Sequence, residues 1–140
     1  DEFIEAGADM IAVHVEECKD IKNVLAHIRQ AGIRSSVVLC PDTPVESVLE
    51  LIPFTDDILV MSVVPGYGGQ KFIPSALDKI RTIRETANSL GVELDISVDG
   101  GINAETAKQC REAGANVFIA GNYVFGAEDM KQAIESLRCK

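Results

Sequence analysis

One junction recurs along this chain: a polar, helix-like stretch, then a glycine, then a β-rich apolar run. EAG at 5–7 leads into ADMIAVHV, QAG at 30–32 into IRSSVVLC, SLG at 89–91 into VELDISV, and EAG at 112–114 into ANVFIAG. Glycine just past a helix is a stop signal, because it accepts the left-handed conformation that ends the helix. A chain that repeatedly leaves a helix to enter a strand has few folds open to it. Two of the units, EAGADMIAVHV and EAGANVFIAGN, align closely. A common geometric need explains that similarity without proving internal duplication.

A fifth apolar run, DDILVMSVV at 56–64, follows a helical stretch ending near Pro53. Strands are expected at 9–15, 33–39, 57–64, 92–98 and 117–121. They are short and largely apolar on both faces, as strands of a covered parallel sheet are. Between them lie helical stripes: Ile21, Val24, Leu25 and Ile28 in one, Leu77, Ile80, Ile83 and Ala87 in another. Helix starts are marked by Thr43-Pro44 with Glu46 in capping-box position, by Asn103 before AETAKQC, and by Ala127 before EDMKQAIESL. The resulting order, (α)βαβαβαβαβα, means an α/β fold with a parallel sheet.

Two architectures fit that order, an open doubly wound sheet and a closed (β/α)₈ barrel. A barrel uses about 31 residues per unit, so the 140 residues amount to about four and a half units. Five strands alone do not close a barrel. The barrel reading therefore expects a partial TIM barrel lacking the first three β/α units, with DEFIEAGAD at the start read as truncated. The length suits one domain, 1–140, with its own core.

Composition narrows the partners. The net charge is −9, from 22 acidic and 13 basic residues, which disfavours nucleic acid and anionic membrane surfaces. It leaves room for a small anion, because backbone N–H groups bind anions without Lys or Arg. No apolar run approaches the length of a membrane span. Cys18, Cys40, Cys110 and Cys139 form no C-x-x-C motif and have no histidine at zinc-site spacing, so they read as free thiols of a reducing, cytoplasmic setting.

In both architectures ligands gather at the C-terminal ends of the strands. Those ends carry His14-Val15-Glu16, Cys40-Pro41, PGYGGQ at 65–70, Asp99-Gly100-Gly101, and Gly121-Asn122. The last three are glycine-rich, and their backbone N–H groups are expected to surround one anion. Any one glycine pair alone would signify only a tight turn. Asp99 ends an apolar strand and faces the mouth of the sheet, where it serves as a turn-former, a metal ligand or a proton-transfer base. His14 is a possible pocket residue or a hydrogen-bonded histidine. Met61 is core or pocket wall. Tyr67 is a flap or loop packing, Gln70 and Lys71 are able to approach the loop's ligand with a solvated Lys71 as the default, and His27 sits on a helix surface.

These residues resemble a known family. MSVVPGYGGQKFIPSALDKIR at 61–81 is similar to the M-[TS]-V-x-P-G-[FY]-G-G-Q-x-F segment of ribulose-phosphate 3-epimerases. VDGGIN at 98–103, AGNYVFG at 120–126, EAGADMIAVHVEE at 5–17 and PDTPVES at 41–47 match other parts of the family in order. The resemblance implies a (β/α)₈ barrel that interconverts D-ribulose 5-phosphate and D-xylulose 5-phosphate at C3, in the pentose phosphate pathway. It implies one divalent cation (zinc, iron, manganese or cobalt), with Asp99 as one ligand and as one of two carboxylates that exchange the C3 proton. It implies a substrate-phosphate loop at Gly66, Tyr67, Gly68 and Gly69, further phosphate contacts at Gly100, Gly101, Gly121 and Asn122, and a homo-oligomer. The family's other three metal ligands have no counterpart here, and Asn122 stands where the family has Ser or Thr. An amide still donates to a phosphate.

Three readings follow. The first is the C-terminal part of such an epimerase, with the 140 residues inactive by themselves. A sibling epimerase acting on a six-carbon ketose phosphate such as allulose 6-phosphate would share these loops and differ near Met61. A non-catalytic phosphate-binding α/β module is the third.

Overall fold

In a computed structural model, which describes residues 1–138, the chain forms α1 (Glu2–Glu5), β1 (Met10–His14), α2 (Ile21–Gln30), β2 (Arg34–Leu39), α3 (Glu46–Leu49), β3 (Asp57–Met61), α4 (Ala76–Leu90), β4 (Asp95–Asp99), α5 (Ala104–Ala113), β5 (Val117–Ile119), α6 (Asn122–Phe125) and α7 (Met130–Arg138). A 3₁₀ turn at Ile52–Phe54 precedes β3. Cys139 lies outside the described residues. The four junction glycines Gly7, Gly32, Gly91 and Gly114 all take positive φ.

All strand pairs are parallel, and the sheet order is β1-β2-β3-β4-β5. A doubly wound sheet reverses its strand order at a switch point. This sheet has no reversal, so right-handed crossovers place successive helices on one face. That is the local topology of a barrel wall, and the doubly wound alternative drops out. Among the described residues the sheet has β1 and β5 at its edges.

The helix stripes cover the sheet as their spacing predicts. Leu25 and Ile28 of α2, and Ile80, Ile83 and Ala87 of α4, are buried with Val37, Leu39, Ile58, Val60, Ile96 and Val98 of the strands. Each large aliphatic side chain so buried contributes roughly 1.5–3 kcal/mol. Cys110 of α5 is fully buried in the same core, and burial pushes its thiol up to about 11. Cys18, Cys40 and Cys110 are free thiols. No helix among the described residues is long and apolar enough to cross a membrane.

Several expected boundaries shift, each for a local reason. The 57–64 strand stops at Met61, and Ser62 makes the last ladder bond, its N–H donating to Asp99 O at 2.8 Å. The 92–98 strand begins only at Asp95, since Val92 N is still held by Ala87 O of the preceding helix end. The capping box at Thr43 does not form. Its hydroxyl donates to Glu16 Oε1 at 2.7 Å instead, and α3 starts at Glu46 without a side-chain cap. Asn103 does cap α5, accepting from Glu105 and Thr106 N–H while Thr106 Oγ1 accepts from Asn103 N–H. The last helix begins at Met130, with Asp129 Oδ1 accepting from Gln132 N at 3.0 Å.

Candidate active site

The loops after β3, β4 and β5 line one cavity of about 730 Å³. Gly66, Tyr67, Gly68 and Gly69 form one wall, Gly100 and Gly101 a second, and Gly121 and Asn122 a third. Asp99 and Met61 lie in the same lining. The three strand ends therefore come together in space as their order in the sheet requires. The cavity falls within the size range of small-molecule sites.

Two glycines hold the central loop. Gly100 has φ 121°, and a Cβ there would come within 2.5 Å of Val63 Cγ2. Gly101 has φ 64°, and a Cβ there would collide with the backbone of Phe72. Both positions exclude a side chain by conformation and by space. The β3 loop thus lies directly on the β4 loop, and only glycine permits the approach. Ser62 completes the joint: its hydroxyl donates to Asp99 O at 3.0 Å and Gly100 O at 2.5 Å. Thr106 Oγ1 donates to Gly101 O at 2.9 Å. The carbonyls of Asp99, Gly100 and Gly101 are taken, whereas among the described residues the N–H groups of Gly66, Gly68, Gly69 and Gly101 have no hydrogen-bond partner.

Gln70 spans the β3 loop from within. Its Nε2 donates to Val64 O at 2.7 Å and Tyr67 O at 3.0 Å, tying the loop's base to its tip. Asn122 reaches the loop from the β5 side, its Nδ2 lying 2.9 Å from where a Gly69 Cβ would stand. Tyr67 is 75 % exposed, so packing of its ring does not hold the loop. Sequence reasoning missed the roles of Ser62 and Gln70. A small polar residue inside the apolar run LVMSVV, and an amide next to glycines, were the available signals.

Asp99 sits at the C-terminal end of β4, paired in register with Met61 of β3 and Ile119 of β5. Burial pushes its carboxyl above the ordinary carboxylate range. A half-buried carboxyl with a raised pKa at a cavity wall is suited to accept and return a proton. As a metal site the donor set around Asp99 is incomplete. Among the described residues it belongs to no group of three potential ligand side chains, and no other carboxylate, imidazole or thiolate lines the cavity.

His14 does not line this cavity, contrary to its expected place there. β1 lies three strands from β4 in the sheet, and the imidazole meets Cys40 after the neighbouring β2. There Glu16 Oε1 accepts from Cys40 N and from Thr43 Oγ1, both at 2.7 Å. Burial acts to raise the Glu16 carboxyl, but the hydrogen bonds from Thr43 and Cys40 outweigh it and hold it below its usual range.

Residues 1–125 match the model of the ribulose-phosphate 3 epimerase family. The chain belongs to the ribulose-phosphate 3-epimerase family. It is 44 % identical over 137 residues to the ribulose-phosphate 3-epimerase of Bacillus subtilis, covering 97 % of this chain and 63 % of that protein. It is 43 % identical over 136 residues to the ribulose-phosphate 3-epimerase of Chlamydia muridarum, covering 94 % of this chain and 60 % of the relative. The chain thus spans about six-tenths of the length of these curated relatives. Among solved structures it superposes on a 3-hexulose-6-phosphate synthase with a TM-score of 0.73 at 21 % identity, over 99 % of this chain and 64 % of that one. The 3-keto-L-gulonate-6-phosphate decarboxylase of Vibrio cholerae gives 0.67 at 21 % identity, over 96 % and 61 %. At that identity the likeness is one of fold, and these are enzymes of the TIM-barrel type.

Proposed function

We propose that this chain forms the last five β/α units of a ribulose-phosphate 3-epimerase barrel, and that it carries the enzyme's phosphate site and one of its two proton-transfer carboxylates. The carrying observation is the single cavity shared by the three glycine-rich strand ends and Asp99. A phosphoryl group fits the free N–H groups of Gly66, Gly68, Gly69 and Gly101, with Asn122 Nδ2 beside them. This anchoring rests on backbone dipoles, with Lys71 the one cationic side chain in the cavity lining among the described residues.

The phosphate anchor fixes the sugar's far end and leaves C3 to approach Asp99. The ionised carboxylate takes the C3 proton from one face and holds it at Oδ. A second acid on the opposite face, from units outside this chain, delivers a proton there and inverts the centre. Raising the Asp99 pKa by burial brings it nearer the working pH, which strengthens it as a base. Asp99 alone does not constitute a divalent-cation site, so no step is assigned to a metal here.

The test is solvent exchange. The full gene product, incubated with D-ribulose 5-phosphate in D₂O, should incorporate deuterium at C3, followed by NMR, and form D-xylulose 5-phosphate. Asp99→Asn should abolish both. Equal or faster turnover of allulose 6-phosphate would transfer the assignment to the six-carbon substrate. Exchange that persists in Asp99→Asn would overturn the role given to this carboxylate.

A further inference from the structure

A second cluster of polar side chains lies at the same end of the sheet and takes no part in the chemistry above. His14 closes β1, and Cys40 follows β2. The two strands stay paired up to the His14–Val38 rung, which brings these side chains together. His14 Nδ1 is 3.6 Å from Cys40 Sγ and 3.5 Å from Glu16 Oε2. The potential ligand atoms of all three lie within 4.8 Å of one another.

Those separations have a chemical meaning. Zinc bonds run about 2.0–2.2 Å to nitrogen or oxygen and about 2.3 Å to sulfur, so tetrahedral angles place neighbouring donors about 3.3–3.6 Å apart. The two His14 distances are close to that edge length. One nitrogen, one oxygen and one sulfur therefore stand together at a spacing one ion can draw in, with a further position left to solvent.

We propose that His14 Nδ1, Glu16 Oε2 and Cys40 Sγ bind one divalent cation of borderline softness, Zn²⁺ above all, at a site separate from the Asp99 cavity. Imidazole and thiolate select against Mg²⁺ and Ca²⁺, which require oxygen donors. The thiol loses its proton to solvent when the metal binds. Thiolate and carboxylate together then balance the two positive charges of the cation.

The surrounding structure fixes the donors before the metal arrives. Glu16 uses Oε1 for Cys40 N and Thr43 Oγ1, which locks the carboxylate and turns Oε2 toward His14. Lys79 Nζ donates to the carbonyl oxygens of Cys40, Pro41 and Thr43 at 3.2, 2.5 and 2.7 Å, holding the loop that carries the sulfur. Such outer partners orient metal ligands. The His14 and Glu16 side chains remain 42 % and 23 % exposed, so an ion has access from solvent. None of the three residues lines the Asp99 cavity. The competing account is a plain hydrogen-bonded triad that binds no metal.

Co²⁺ separates the two. The reduced, chelator-treated full chain is titrated with CoCl₂ while its absorption is followed. The proposal expects one equivalent of Co²⁺ to produce a thiolate-to-cobalt charge-transfer band in the near ultraviolet, with tetrahedral d–d bands in the visible, and Zn²⁺ to displace it. Cys40→Ser and His14→Ala should remove the band and weaken Zn²⁺ binding about tenfold or more, whereas Cys18→Ser and Asp99→Asn should leave it intact. Should the Cys40 variant fail to fold, alkylation mapped by mass spectrometry on the unmutated chain decides: Zn²⁺ should protect Cys40 and not Cys18. A titration without a thiolate band, a band that survives Cys40→Ser, or unprotected Cys40 would overturn the proposal.

Discussion

The two rims of this sheet each hold a carboxyl out of bulk water, and they treat it differently. At the start of β3, Asp57 is 2 % exposed and accepts hydrogen bonds from the hydroxyls of Ser36 and Ser97 on the flanking strands. At the end of β4, Asp99 faces a cavity of about 730 Å³ walled by glycine-rich loops. Burial pushes both carboxyls up, although at Asp57 the two serines pull the other way. The starting rim is closed further by Arg34 on Asp95 Oδ2 at 2.5 Å and Asn116 on Asp95 Oδ1 at 2.7 Å. One rim spends its side chains on one another. The other leaves backbone N–H groups and one carboxyl free for a ligand. The difference is the division of labour expected of a barrel, with stability at the N-terminal face and chemistry at the C-terminal face.

Exchanging the substitutions between the rims is the strongest way to break this comparison. In the full gene product, Asp99→Asn should lower epimerisation by about 10³-fold, within the range of a lost proton-transfer group, and leave the melting temperature nearly unchanged. Asp57→Ala should do the reverse. It strands two buried serine hydroxyls and should cost about 2–4 kcal/mol in urea denaturation, with KM unaltered. Equal stability loss in both variants would erase the distinction.

pH sharpens it. The fold raises the pKa of Asp57, so it favours the neutral form. That contribution is complete below the unfolded carboxylate pKa, ~4, and is lost as pH rises through the raised folded value. Asp57→Asn should therefore gain stability relative to the parent as pH increases, read from urea midpoints across the acid range. At the other rim, activity requires ionised Asp99, so its rate should fall in acid at a pH above that of an ordinary carboxylate.

Smaller effects probe the loops. Gly101→Ala places a methyl against the backbone of Phe72 and should weaken binding of a sugar phosphate by about 10–100-fold through a displaced loop. Gln70→Ala removes the two bonds that tie Val64 to Tyr67 and should raise KM by up to about 30-fold with little change in kcat, each missing bond being worth about 1 kcal/mol. Steady-state kinetics with D-ribulose 5-phosphate would read both.

Much of this was legible in the residues themselves. Glycine stops and helix stripes announced the alternation of elements, and adjacency of the last three strand ends followed from a monotonic parallel order. The limits were also physical. Thr43 looked like a helix cap because its spacing to Glu46 is right, but Glu16 in the loop after β1, 27 residues away, takes its hydroxyl. Asp57 opened an expected strand but drew no notice, since nothing local reveals serines on two other strands. His14 looked like a mouth residue because it ends a strand, and only the sheet order shows that two strands lie between it and Asp99. Long-range side-chain partnerships were hidden, while backbone-driven features were visible.

The central claim is that three neighbouring loop tips act as one phosphate cradle. An amide NMR titration of ¹⁵N-labelled protein with inorganic phosphate and with D-ribulose 5-phosphate tests it directly. The account predicts that the amides of Gly66, Gly68, Gly69, Gly101 and Asn122 shift together and saturate with a single Kd for each ligand, the sugar phosphate binding more tightly. Separate Kd values for the three loops, or shifts confined to other parts of the chain, would contradict it.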